Sequence, residues 1–595
     1  MRTLAIDIET YSSVSLLNCG AYAYAEAHDF EIMLFGYAFD DEPVQVLDLI
    51  EDGPGLPTEL LNALYDPRIL KTAFNAQFER TCLGSFLGSV QPPDQWACTS
   101  VMARHLGLPN SLENVGEIVG LPEEKQKLKT GKALIRYFSI PCKPTKTNGQ
   151  RSRNLPAHDP DRWKLFVDYC KQDVEAEREI RRKLLKFSVL ESEQPLWVLD
   201  QIINDRGVGV DIEFAKNAIK MDEIIKTRLL TQAQALTGLE NPKSVYQLKS
   251  WIEDVSGVEV DSLNKKEIPG LREAAQSDEV NEILDIRAGL SKTSTEKYNA
   301  MIRTVCEDGR IRGLTQFCGA SRTGRWAGRL VQMQNLPQNK MPVQDLDTAR
   351  QLVALGDLAT LEILYDDVSG TLSQLIRTAF VPKPGNRLIV ADFSSIEARV
   401  IAWLAGEQWR LDVFNTHGKI YEASAEQMFG LPPGSVGKAD PMRQKGKIAE
   451  LALGYGGSVG ALVTMGALTM GIEERELRPL VNSWRAANKQ ITKFWWDADA
   501  AARETINTRV SSFLSYGISF RKQGALLRLR LPSGRELSYV KPMIVNDSIT
   551  YEGTLPGSGG WGRIDSYGPK IVENIVQAVA RDCLAIALTK VEAAG

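Results

Sequence analysis

The sequence predicts a multidomain chain, an α/β unit followed by helix-rich α+β units. Three observations carry this expectation. The 595 residues correspond to about four domains at roughly 150 residues each. Strand and helix signals alternate up to about residue 190, the pattern of a sheet covered by helices. Beyond that point long helical patterns are interrupted by short strand signals.

The elements follow in order. Leu4 to Ile6 and Met33 to Phe39 are aliphatic and aromatic runs and read as strands. Val167 to Leu185 places apolar residues at helical spacing among many charges and reads as a helix. Helices are predicted next at Trp197 to Asn204, Ile212 to Leu236, Ser244 to Glu253 and Val280 to Arg303. Asn386 to Ala391 reads as a strand by its aliphatic run, and helical patterns return from about 405 to 505. Leu527 to Tyr539 reads as a hairpin around Pro532-Ser-Gly534.

Composition excludes several classes. Apolar residues make up 43% and charged residues 24%, a globular balance that rules out wholesale disorder. Eight cysteines form no CxxC pair, which argues against a disulfide framework or zinc ribbon and fits a reducing cytosol. Four scattered histidines argue against a histidine metal site or a Ser-His-Asp triad. A net charge of -5 does not advertise a nucleic-acid binder, although charge distribution matters more than the sum. The start reaches Asp7 and Glu9 too soon for a signal-peptide core. Leu451 to Ile472 is uncharged and long enough for a bilayer, but its six glycines make it a helix end, a loop and a further helix. No membrane partner is expected.

Asp7 and Glu9 stand two residues apart in a strand pattern, so both carboxylates leave the same face. Ile6 and Ile8 then point to the core. Two acids held together repel unless a cation or proton sits between them; the bland alternative is a strand ending in solvated acids. Glu79, in Phe74-Asn-Ala-Gln-Phe-Glu79, offers a third carboxylate. Tyr169 and Asp173 stand at i and i+4 on one helix face, where the hydroxyl could orient a water beside the acid. This ordered set resembles the three motifs of the DEDDy proofreading 3′→5′ exonucleases. The resemblance implies an RNase H-like domain in which Asp7, Glu9, Glu79 and Asp173 hold two Mg2+ or Mn2+ ions and Tyr169 positions the attacking water. One departure is Glu79, since the family usually has aspartate in its second motif. Between motifs two and three, Lys125 to Arg153 carries nine basic residues after Glu124, among them Lys127, Lys129, Lys132, Arg136, Lys143, Lys146 and Arg151. It is either a solvated face or a strand-contacting surface, with Tyr137 and Phe138 available for base stacking.

Asp392 follows the predicted strand at 386–391 and precedes a helix start, either presenting a carboxylate to a metal or capping the helix. Asp440-Pro441 is an N-cap and first-turn signal. From there Arg443, Lys447, Leu451 and Tyr455 recur every four residues as one stripe. Arg and Lys on its first turns suit a triphosphate, and the alternative is a helix with a basic edge. Together these blocks resemble family A DNA polymerases, particularly the phage-type branch. Asp392-Phe-Ser-Ser-Ile-Glu-Ala-Arg399 is similar to motif A, and Arg443-x3-Lys447-x7-Tyr455-Gly456 to motif B. Thr323-Gly-Arg-Trp326 and Gln334-Asn-Leu-Pro337 are similar to two family signatures, and Gln577 to a residue of the late palm helix. Asn241-Pro-Lys-Ser244 and Lys292-Thr-Ser-Thr295 resemble thumb elements. The resemblance spans nearly the whole chain in order.

That resemblance implies a right-hand polymerase with palm, thumb and fingers behind the exonuclease. The expected units are 1–190 exonuclease, 191–315 start of palm and thumb, 316–404 palm with motif A, 405–540 fingers with motif B, and 541–595 late palm helix. Asp392 would be a metal ligand beside the Phe393 carbonyl, and Glu397 the gate against a 2′-hydroxyl. Arg443 and Lys447 would bind the incoming phosphates, with Lys447 able to protonate pyrophosphate. Leu451 stands where many members have an aromatic residue near the nucleotide sugar, and Tyr455 would pack near the templating position on the substrate-binding side. Arg325, Gln334, Asn335 and Gln577 would contact DNA. The implied partners are primer-template DNA and deoxynucleoside triphosphates, in a phage-infected or bacterial cytoplasm. The Arg and Asn that usually precede Gln577 do not align, and the family's His-Asp-Glu motif C is not found up to Gly595. The expectation is therefore an incomplete palm in a chain that is truncated, one piece of a split polymerase or a decayed copy, with a second chain or C-terminal segment able to supply motif C, and little primer extension by residues 1–595 alone. The alternatives are a 3′→5′ exonuclease with an inactive polymerase-like half, and a non-enzymatic DNA-binding remnant.

Overall fold

The computed structural model describes residues 2–123, 130–187, 189–264 and 267–595. Its N-terminal part is a five-stranded sheet in the order β3-β2-β1-β4-β5, with β1 Arg2–Tyr11, β2 Glu31–Phe39, β3 Gln45–Asp48, β4 Ile69–Ala73 and β5 Trp96–Cys98. β1 pairs antiparallel with β2 and parallel with β4. Leu4, Ile6, Phe35 and Trp96 anchor its core. The register of β1 against β2 shifts between Glu9 and Thr10, a bulge that turns the end of the strand beside the two acids.

The helix Pro160–Leu184 crosses β1 and β2. Asp159 caps it, its side chain accepting from the Arg162 amide at 3.1 Å. Helix and sheet approach so closely that a Cβ on Gly36 would lie 2.9 Å from Cys170 Sγ. The absence of a side chain at Gly36 is what lets the helix face bearing Tyr169 and Asp173 reach β1.

Beyond the sheet domain, the expected helices form at Glu193–Arg206, Ile212–Thr237 and Val245–Ser256. The single helix expected over 280–303 is two, Asp278–Leu290 and Glu296–Thr304. The break falls in Ser291-Lys-Thr-Ser-Thr295, where hydroxyls compete with helical hydrogen bonds. There the Thr295 hydroxyl donates to Asp222 at 2.8 Å.

The strand expected at 386–391 does not form. Asn386 to Ser395 is irregular and exposed, with Ile389 80% and Val390 86% exposed. A β-forming run becomes a strand only when a neighbour accepts its hydrogen bonds, and among the described residues no strand pairs with it. Asp392 thus lies on an exposed loop instead of at the end of a buried strand.

The C-terminal part packs helices Ile396–Ala405, Pro441–Leu453, Glu474–Ala487, Lys489–Thr508 and Gly568–Ala593 around Trp484 and Trp495, whose rings stack with centroids 6.0 Å apart. The uncharged stretch after Leu451 resolves into a helix end and the short helix Val459–Thr464. Among the described residues no helix is long and apolar enough to cross a membrane. A six-stranded antiparallel sheet follows, from Ser512–Phe513 to Trp561–Ser566. The expected hairpin is its strands Leu526–Arg530 and Glu536–Val545. The expected unit boundary at 540 cuts the second of these strands, because the sheet is continuous there.

A buried ion pair ties this part together. Arg410 donates to Glu450 at 2.8 Å and to Asn488 at 2.9 Å, while Trp484 and Ser424 donate to the same Glu450 oxygen. Removing one partner strands a buried charge. Arg410→Ala is expected to cost about 3–5 kcal/mol, read as a lower denaturation midpoint of the C-terminal part, whereas exposed Lys493→Ala shifts it little.

Candidate active site

The carboxylate pair of β1 meets the helix Pro160–Leu184. Asp7, Glu9 and Asp173 each offer an oxygen, and these oxygens lie within 4.8 Å of one another. Glu9 and Asp173 are buried and Asp7 is partly exposed. Glu79, on the helix Ala76–Phe86, stands outside that set but lines the same cavity of about 620 Å3, as does Tyr169. Glu79 is 4% exposed, and its Oε2 has no hydrogen-bond partner. Burial first, then the negative charge of Asp7, pushes its carboxyl well above the usual range. Acids crowded this way, with one buried oxygen unsatisfied, are a donor set suited to hard divalent cations.

Tyr169 is 1% exposed. Its hydroxyl pKa is raised by burial first, then by Asp173, Glu9 and Asp7, and it hydrogen-bonds Asp173. It therefore keeps its proton at neutral pH and acts as a hydroxyl, not a phenolate. Space for its ring depends on Gly131, where a Cβ would sit 2.0 Å from Tyr169 Cε2. Sequence reasoning missed Gly131, because only the fold brings it to the ring. It also missed the apolar walls Leu16, Leu17, Tyr24, Phe78, Ile135 and Ile140. Leu17 is 92% exposed, a signal that sequence alone does not carry.

The basic run is corrected in two places. Phe138 is fully buried between Trp163 and Phe166, at 4.9 and 5.4 Å between centroids, so it is not available for base stacking. The half-buried Tyr137 lies under Arg162. Arg153 pairs with Glu31 and covers the Tyr11 ring, leaving it a packing residue. Lys125, Lys127 and Lys129 lie outside the described residues.

The second constellation is assembled around Glu397. Tyr455 donates to its Oε2 at 2.8 Å, and Arg325 Nη1 lies 3.5 Å from its Oε1. Burial, then Glu397, raises the Tyr455 pKa, so this hydroxyl is also protonated. Three blocks distant in sequence thus meet at one carboxylate. Asp440 caps the helix Pro441–Leu453, accepting from the Met442 amide at 2.8 Å. On its first turn Arg443 pairs with Glu422 at 2.7 Å. Lys447 is half-buried and makes no ion pair among the described residues, and Leu451 is 52% exposed. Asp392 and Phe393 are exposed on the loop before the helix Ile396–Ala405. Gln334 and Asn335 are exposed on a short turn, and Gln577 is half-buried on the helix Gly568–Ala593.

Comparison with known proteins places these blocks in one context. The model of DNA polymerase family A matches residues 217–514. A DNA polymerase of Bacillus phage SP02 is 56% identical over 601 residues, covering 100% of this chain and 92% of the phage protein. The thermostable DNA polymerase I of Thermus thermophilus is 40% identical over 92 residues, 15% of this chain and 11% of that protein. Among solved structures, the POL domain of Pol1 from M. smegmatis, in complex with DNA primer-template and dNTP, aligns with a TM-score of 0.57 and 15% identity, over 100% of this chain and 85% of that one. The fold is therefore that of a polymerase, and with a full-length phage relative at this identity the chain belongs to the phage-type branch of DNA polymerase family A.

Proposed function

We propose that this polymerase carries a metal-dependent 3′→5′ exonuclease in residues 1–190, acting on the primer strand whose 3′ end the polymerase half extends. The observation that carries the reading is the convergence of Asp7, Glu9 and Asp173 with Tyr169 on one cavity. Asp7, Glu9 and Asp173, with Glu79 on the same cavity, would hold Mg2+ or Mn2+. Cations bound there lower the pKa of a water and neutralise charge on the scissile phosphate. Tyr169, protonated and tied to Asp173, orients the attacking water and holds the terminal phosphate in line. The apolar walls at Leu17 and Phe78 exclude water and receive the terminal nucleoside.

In the polymerase half, Asp392 and the Phe393 carbonyl are assigned to a catalytic metal, and Arg443 and Lys447 to the incoming triphosphate. Tyr455 and Leu451 border the nucleotide, and Arg325, Gln334, Asn335 and Gln577 contact primer-template DNA. Residues 191–315, 316–404, 405–540 and 541–595 keep their proposed roles, with the fingers boundary drawn to respect the sheet that crosses 540. The exposed run at 388–393 supports a β-strand partner beside Asp392, from a second chain or a further segment carrying motif C.

A 5′-labelled primer-template with Mg2+ tests this reading. Without deoxynucleotides the primer shortens from its 3′ end one nucleotide at a time. Internal cuts, or shortening that persists in excess chelator, would contradict it.

Glu397 is held rigidly by Tyr455, which suits it to exclude a 2′-hydroxyl. Glu397→Ala is expected to improve ribonucleotide over deoxynucleotide incorporation by about 10- to 100-fold, the scale on which a pocket discriminates one hydroxyl. Single-nucleotide insertion kinetics, with the chain or segment carrying motif C supplied, would reveal it, and an unchanged ratio would remove Glu397 from this role.

A further inference from the structure

Away from both carboxylate sites, a cavity of about 480 Å3 opens where the helix Thr99–His105 faces residues 189–191 and the hairpin strands Leu526–Arg530 and Glu536–Val545. Four arginines, Arg521, Arg528, Arg530 and Arg535, line it against two acids, Glu191 and Glu536. Glu536 is shared. Arg521 donates to it at 2.8 Å through Nε and Nη2, and Arg528 donates at 2.9 and 2.7 Å. Arg535 is turned to Asp582 at 2.7 Å. Arg530 is exposed and makes no ion pair among the described residues.

His105 closes the inner end. Its side chain is 6% exposed, and its Nε2 lies 3.5 Å from a Glu193 oxygen without forming a hydrogen bond. Both Glu193 oxygens are already taken by Arg581, at 2.9 and 2.8 Å. Burial, then Arg535, Arg581, Arg104 and Arg528, pushes the His105 pKa well down, so the ring is neutral. Nε2 is thus turned to Glu193 and out of reach of an occupant, and the ring serves as one wall of the cavity. Surplus guanidinium charge in a concave, partly enclosed site favours an anion, and the planar fork of arginine matches phosphate oxygens.

We propose that this cavity binds a phosphate group, held by Arg530 and steered by the arginines that share Glu536, with the His105 ring as part of its wall. It is separate from the carboxylate cluster and from the stripe on the helix Pro441–Leu453. It lies where the N-terminal sheet domain meets the hairpin, so its occupant bridges the two halves of the enzyme. The phosphate can come from a free polyphosphate, such as the pyrophosphate released by nucleotide addition, or from a DNA backbone.

The chain has four histidines, so ring-labelled histidine gives a spectrum of four side chains, with His105 assigned by His105→Asn. Titration of the full chain with inorganic pyrophosphate is expected to shift the His105 ring signals saturably. Arg530→Gln is expected to weaken that binding about tenfold or more, equivalent to losing one charge-assisted contact, while the other three histidines stay in place. If pyrophosphate has no effect but a single-stranded oligonucleotide shifts His105 in wild type and not in Arg530→Gln, the phosphate is that of a DNA backbone and the site stands. No shift with either probe, or a shift of equal affinity in Arg530→Gln, overturns it.

Discussion

Replacing Asp7 by alanine is expected to abolish metal-dependent degradation of single-stranded DNA from its 3′ end. Asp7, Glu9 and Asp173 present oxygens within 4.8 Å of one another, and removing one leaves too little negative charge to hold a cation in place. Loss of an outer partner to a metal ligand costs about 10- to 100-fold, so loss of a ligand itself should exceed about 100-fold. The pH profile adds a second signature. Burial and Asp7 hold Glu79 protonated above the usual carboxylate range, and only its ionised form binds metal. Degradation should therefore rise with pH on the acid side, and Glu79→Gln should lose that limb along with most activity. Undiminished degradation by Asp7→Ala, measured on a 5′-labelled oligonucleotide, would sink the assignment. Because the Asp7 side chain is partly exposed, the variant is expected to fold, and an unchanged melting profile checks this.

The double variant Arg443→Gln/Lys447→Gln is expected to bind deoxynucleoside triphosphate at least about 100-fold more weakly. Two charge-assisted contacts to phosphate are worth about 1.5–3 kcal/mol each, and about 2.7 kcal/mol is a hundredfold in Kd. The residues sit one turn apart on the helix Pro441–Leu453, where side chains four apart face the same way. Arg443 is poised by Glu422 at 2.7 Å, an ion pair that a triphosphate can compete for. Glutamine keeps the helix and a polar contact to Glu422, so loss of affinity reports charge and not unfolding. Unchanged nucleotide affinity, measured by titration in the presence of primer-template, would contradict the role of both residues.

Much of the N-terminal site was legible in the sequence because its geometry is local. Asp7 and Glu9 share a face by strand alternation, and Tyr169 and Asp173 by the helical repeat, so pattern alone places each pair. What joins the pairs is not local. Gly36 and Gly131 admit the helix and the Tyr169 ring, and neither glycine announces that task in one dimension. Phe138 was misjudged for the same reason, since an aromatic in a basic run looks accessible until Trp163 and Phe166 enclose it. The run at 386–391 has strand composition, but a strand is defined by a neighbour, and among the described residues none pairs there. The meeting of Arg325, Glu397 and Tyr455 was not read from the sequence, because contacts across such separations leave no periodicity to read.

Anomalous diffraction from crystals soaked in Mn2+ tests the central claim most directly. The account predicts a strong peak bounded by the carboxylates of Asp7, Glu9 and Asp173, with Glu79 turned toward it and Tyr169 within reach of its water shell, and no such peak in Asp7→Ala. Density for Mn2+ elsewhere in the N-terminal half, with this cluster empty at saturating metal, would contradict it.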